Sequence, residues 1–152
     1  MLLIQEYLDL EKSNPSLYQQ ILNLQILTHS LAKELKCNKE QFELLYNISS
    51  LYYLDAQIIK KYKPEMKLIN FIHNYKNGQE VNYYKHKIPL IISVCDYYNR
   101  LRQEYNHNES MDFIAKYEYY PLIIKKKFNK IIEDVLKDLD YSFYDLHYDE
   151  EG

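Results

Sequence analysis

Leu17, Ile21, Leu24, Leu31 and Leu35 recur at helical spacing along the chain, the mark of a helix with one apolar stripe. Asn14 before Pro15 predicts where that helix begins, since proline is favoured at a first helical position. It should run to about Lys36. Ahead of it, residues 2 to 12 predict a short amphipathic helix closed by "SNP". Asn38 followed by Gln41 resembles a capping box and predicts a third helix through "QFELLYNISSLYYLDAQIIKKY", stopping before Pro64. Pro64 opens a fourth, "PEMKLINFIHNYK", ended by the turn signal Asn77-Gly78. Residues 79 to 87 are polar and predict a loop. A fifth helix starts at "IPLIISVCDYYNRL" and reaches about Tyr105, where "NHNES" breaks it. Ser110 is then a cap for a short sixth. Pro121 begins the last, "PLIIKKKFNKIIEDVLKDL", with Leu122, Phe128, Ile131, Val135 and Leu139 as core-facing positions. The pattern predicts an all-α, single-domain bundle of six or seven helices over residues 1–139. Residues 140–152, within "DYSFYDLHYDEEG", are acidic and lose the period, as a frayed or partly docked tail would.

Composition supports this picture. The 152 residues suffice for one core, and 47% hydrophobic with 27% charged residues is a globular balance. Two glycines and four prolines are too few for many tight turns. The 18 tyrosines, beside no tryptophan and two arginines, read as codon bias more than function. A net charge of −3 gives no general attraction to nucleic acid or acidic membranes. The clusters Lys60-Lys61-Lys63 and Lys125-Lys126-Lys127 read as solvated helix faces, so neither a nucleic-acid nor a membrane partner is expected. No apolar run nears the roughly 20 residues of a membrane span, and the acidic "MLLIQEYLDL" does not read as a signal peptide. Cys37 and Cys95 suggest neither a metal motif nor a disulfide framework. A cytoplasmic location is the expectation.

Asp96 interrupts the greasy start of the fifth helix, and a buried carboxylate is costly unless paired, hydrogen-bonded or metal-bound. Of five histidines, His86, His107 and His147 fall in predicted loops or the tail. His29 and His73 lie within predicted helices. With Asp96 they would supply imidazole and carboxylate groups from three helices, a set suited to Fe, Mn or Zn. The alternative is local: structural histidines, and an Asp96 that caps or hydrogen-bonds nearby.

The order and surroundings of these residues resemble the HD superfamily of metal-dependent phosphohydrolases, most nearly its HD-GYP branch. "THSLAKEL" resembles the family's "HS-x-R-V-A" helix and places His29 on the early metal-binding histidine. "ISSLYYLDAQI" resembles "L-A-A-L-L-H-D-I-G-K-I", with Tyr53 and Leu54 on the central His-Asp pair. "IHNYKNGQEVN" resembles "HHERWDGSGYP": His73 falls on the second histidine, Ile72 replaces the first, Asn77 and Gly78 echo Asp-Gly, and Gly-Tyr-Pro is absent. "KIPLIISVCDYYNRL" resembles the segment bearing the metal-binding aspartate, with Asp96 on it. "ESMDFIAKY" and "YYPLIIKKKFNKII" resemble the closing helices. The likeness spans about residues 17 to 139.

What the resemblance implies is a degenerate domain. The family's chemistry uses metal ions to activate water and neutralise a phosphodiester. A phenol with a pKa near 10 replaces imidazole poorly, and leucine cannot coordinate. Asp55 lies one residue past the lost aspartate, a turn of about 100° on a helix. His29, His73 and Asp96 would hold at most one Fe, Mn or Zn ion, with no catalytic set. The expected role is a regulatory or protein-interaction module in bacterial cyclic-di-GMP-type signalling, with a GGDEF-type domain as a candidate partner. The alternatives are a divergent phosphohydrolase with a reduced metal site, a nucleotide sensor that does not cleave, and a structural bundle unrelated to the family.

Overall fold

The second helix, α2 (Pro15–Glu34), starts where its signals place it: Asn14 accepts from the Leu17 N–H and Pro15 occupies the first turn. Its stripe of Ile21, Leu24, Leu27 and Leu31 is fully buried. The helix ends in a Schellman arrangement, with Cys37 N–H bonded to Ala32 C=O and Lys36 N–H to Lys33 C=O. That geometry puts Lys36 at φ 57°, the left-handed region where glycine is usual. Lys87 closes the same end by donating Nζ to Leu35 C=O at 2.8 Å.

The structure, a computed structural model, describes residues 4–75 and 86–142. Among them the chain is all helical: α1 (Ile4–Ser13), α2, α3 (Lys39–Leu51), α4 (Ala56–Ile59), α5 (Lys63–Tyr75), α6 (Lys87–Leu101), α7 (His107–Lys116) and α8 (Leu122–Val135), with a 3-10 turn at Leu136–Asp138. Asn77, Gly78, His147 and most of the predicted 79–87 loop lie outside the described residues. Helices α2 and α6 form the central pair. α2 packs on α1, α3, α6 and α8, while α6 also meets α3, α5, α7 and α8. So enclosed, α6 buries eleven side chains and carries polar groups inward with the apolar ones.

Several boundaries differ from the sequence expectation, each for a local reason. The Asn38–Gln41 capping box forms, but the third helix stops at Leu51 and does not reach Pro64. Asp55 caps α4 by accepting from Gln57 N–H, drawing the backbone out of helix. α6 ends at Leu101, short of Tyr105. α7 is capped by Asn106 in a box with Glu109, not by Ser110, which is buried in its first turn. Pro121 takes the N-cap of α8, which buries Ile124, Phe128, Ile131 and Ile132 and leaves Leu122 65% exposed.

One further expectation shifts. The 125–127 lysines are not a purely solvated face, because Lys125 donates to Ala115 C=O and Lys127 joins Lys130 on Glu34. The start of the segment after residue 139 docks on the fold. Asn23 grips both backbone groups of Asp140, and Tyr141 is buried.

Candidate functional site

Enclosure of α6 leaves Asp96 only 1% exposed. Among the described residues, two side chains donate to its carboxylate. Tyr53, from the turn after α3, donates its hydroxyl to Oδ1 at 2.8 Å, and Arg100, one turn along α6, donates Nε to Oδ2 at 3.0 Å. Burial, and then the Asp96 charge, push the Tyr53 phenol well above its ordinary value, so it stays a donor. Burial also raises Tyr52, with Asp96 adding to it. For Arg100, burial pulls downward, but Asp96 more than offsets it and the guanidinium is raised.

The polar cluster continues behind this pair. Asn99 Nδ2 donates to Gln20 C=O at 3.0 Å and to the Tyr53 hydroxyl at 3.3 Å. Its Oδ1 accepts from the Tyr141 hydroxyl. Arg102 lies over the Tyr141 ring, 4.6 Å from its centroid, and donates Nη1 to the Tyr98 hydroxyl at 3.0 Å. Tyr98 also meets His107 Nδ1 at 2.8 Å. One chain of polar contacts thus joins α2, the α3 exit, α6, α7 and the C-terminal segment.

The expected metal ligands are not gathered. His73 is exposed and stacks on Tyr52, centroids 5.2 Å apart, and Tyr52 meets Tyr53 edge-on. His29 is exposed on α2 against Phe42, at 5.2 Å, and borders a different surface. That surface is an open groove of about 680 Å³ along α2, with Leu22, Ile26, Tyr46, Val135 and Asp138 in its walls. A recess of about 30 Å³, reaching Thr28, Leu45 and Ser49, opens beside His29. Among the described residues no three His, Cys, Asp or Glu side chains lie together as a metal site. His29, His73 and Asp96 thus make separate contacts among the described residues: Asp96 accepts from a phenol and a guanidinium, His73 stacks on Tyr52 and His29 meets Phe42.

Tyr53 is a hydrogen-bond donor and Leu54 is core. His107 is not a solvated loop residue; it opens α7 and packs on Tyr98. His86 is half-buried against Phe71. Cys95 is buried, and burial pushes its thiol well up, which favours the protonated form. The sequence reasoning missed Arg100, Asn99 and Tyr141. Arg100 was within reach, because it stands four residues past Asp96 on the same helix face. Tyr141 had no such signal, since it follows the last periodic residue.

No family model matches the chain, and no curated protein and no solved structure matches it. No helix among the described residues is long and apolar enough to cross a membrane.

Proposed function

We propose that this chain is a catalytically degenerate HD-GYP-like domain, kept as a regulatory or protein-interaction module in cyclic-di-GMP-type bacterial signalling. The observation that carries this reading is the Tyr53–Asp96 hydrogen bond of 2.8 Å. In the likeness drawn from the sequence, Asp96 stands on a metal-ligand position and Tyr53 on the lost histidine. The phenol directs its proton to one of the two carboxylate oxygens. Arg100 occupies the second oxygen. Cation and donor together replace what a metal would supply in neutralising a buried carboxylate. A fold that keeps its helices while closing its ligand set suits recognition better than hydrolysis. A GGDEF-type domain is the partner that the likeness suggests.

The test is a phosphodiesterase assay on the purified chain with cyclic-di-GMP and added Mn or Fe, beside elemental analysis of protein prepared without chelator or tag. The expected outcome is no turnover and no stoichiometric metal. Turnover at an enzymatic rate, or one Fe, Mn or Zn per chain lost on Asp96→Asn, would replace this proposal with the divergent phosphohydrolase. Calorimetric binding of cyclic-di-GMP without cleavage would favour the nucleotide sensor.

A further inference from the structure

Arg100 is engaged on one edge only. Its Nε is committed to Asp96, and its two terminal nitrogens have no acceptor among the described residues. The side chain is 46% exposed. On its outer side it lies over Tyr97, with 5.7 Å from guanidinium carbon to ring centroid. Tyr97 continues into Tyr117 at 5.4 Å, and Tyr117 into Tyr119 at 5.6 Å. The result is a row of one guanidinium and three rings across α6 and the α7–α8 connection.

The hydroxyls of this row behave unlike those of the core. Tyr53, Tyr98, Tyr120 and Tyr141 are largely buried, and each bonds its hydroxyl to a protein group. Tyr97, Tyr117 and Tyr119 have no hydrogen-bond partner among the described residues and are half-buried or exposed. The Tyr97 and Tyr117 rings are nevertheless fixed from beneath. Tyr120, bonded to Ser93 at 3.0 Å, packs on Tyr117 at 4.5 Å and Tyr97 at 6.3 Å. Rigid rings with free polar edges beside a half-free arginine have the composition of a binding hot spot, and ordering them on association costs little.

We infer that this row is a docking surface for an acidic protein segment, one carboxylate accepting from the outer fork of Arg100 while an adjacent apolar side chain lies on Tyr117 and Tyr119. The charge decides the class of partner. Asp96 already engages one edge of Arg100 and leaves the outer edge as a single planar pair of donors. One planar fork fits a single carboxylate bidentately and offers too little for a polyphosphate. The inference rests on reading the domain as a protein-binding module and names the surface that reading needs.

The experiment is selection from a random displayed-peptide library on the full chain, followed by affinity measurement of a synthetic copy of the enriched peptide. The expected peptide carries Asp or Glu next to an aromatic or aliphatic residue. Arg100→Gln and Tyr119→Ala should each weaken it about tenfold or more. Arg100→Lys should restore only part of the loss. Tyr119→Ala touches no part of the Asp96 pair, so it tests the surface even if Arg100→Gln fails to fold. Enrichment of basic peptides, binding unchanged by Tyr119→Ala, binding lost instead on Tyr46→Ala in the α2 groove, or no enrichment at all would each overturn the inference. Hydrolysis of cyclic-di-GMP would remove the degenerate-domain reading without altering any of these peptide results, so the two failures are distinguishable.

Discussion

Tyr53 and Asp96 meet through one hydroxyl, and Tyr53→Phe removes that oxygen while leaving the ring in place. Asp96 Oδ1 would then be buried without its 2.8 Å donor, and Asn99 would lose an acceptor at 3.3 Å. Leaving a buried polar group unsatisfied costs about 1–3 kcal/mol, so urea denaturation should show a loss of that size. An unchanged midpoint would mean that water replaces the phenol. His107 offers a pH test at the same scale. Burial first, and then the Arg102 charge, hold its imidazole below the ordinary 6.5, against the opposing pull of Glu133. As pH falls, the unfolded chain takes up this proton before the folded one does. The contribution is therefore complete above the unfolded value and is lost as pH drops through it toward the folded one. Melting curves from about pH 7.5 to about pH 5.5 (about one unit either side of the unfolded histidine value) should fall more steeply for the wild type than for His107→Gln. Equal slopes would show that His107 does not titrate differently in the fold.

Helix termini are the elements' decisive feature, and α7 separates a true cap from an apparent one. Asn106→Ala removes the side chain that accepts from Glu109 N–H and should cost about 1 kcal/mol. Ser110 Oγ is buried with no partner among the described residues. Ser110→Ala should therefore be neutral or stabilising, because it deletes an unsatisfied hydroxyl. If Ser110 were the cap, thermal melts would rank the two variants the other way. The sequence placed both signals within five residues, and the periodicity of so short a helix could not choose between them. The Asn14 and Asn38 starts were legible because each precedes a long apolar stripe. The break after Leu51 was not, since "SSLYYLDAQI" continues the apolar pattern and only the local bond from Gln57 N–H to Asp55 reveals the stop. The same break brings Tyr53 within 2.8 Å of Asp96, a pairing 43 positions apart that no local window shows.

At the scale of the whole molecule, Asn99 is the junction between parts far apart in sequence. It touches α2 at Gln20, the α3 exit at Tyr53 and the C-terminal segment at Tyr141. The helical bundle could be read from local pattern, but this junction joins residues up to 79 positions apart, beyond any local window. Its consequence is energetic coupling. Tyr53 and Tyr141 are not hydrogen-bonded to each other, yet each orients the same amide, one as acceptor for Nδ2 and one as donor to Oδ1. Loss of either loosens Asn99 and weakens the bond that remains. Tyr53→Phe and Tyr141→Phe should therefore be less than additive in a double-mutant cycle, with a coupling of about 0.5 kcal/mol or more. The readout is denaturant stability of the four proteins at one pH, near neutrality. Additivity within about 0.3 kcal/mol would mean that Asn99 is held by Gln20 and the α6 backbone alone. Coupling would establish that the closed Asp96 site and the anchored C-terminal segment form one cooperative unit. A partner bound at Arg100 would then act on both together.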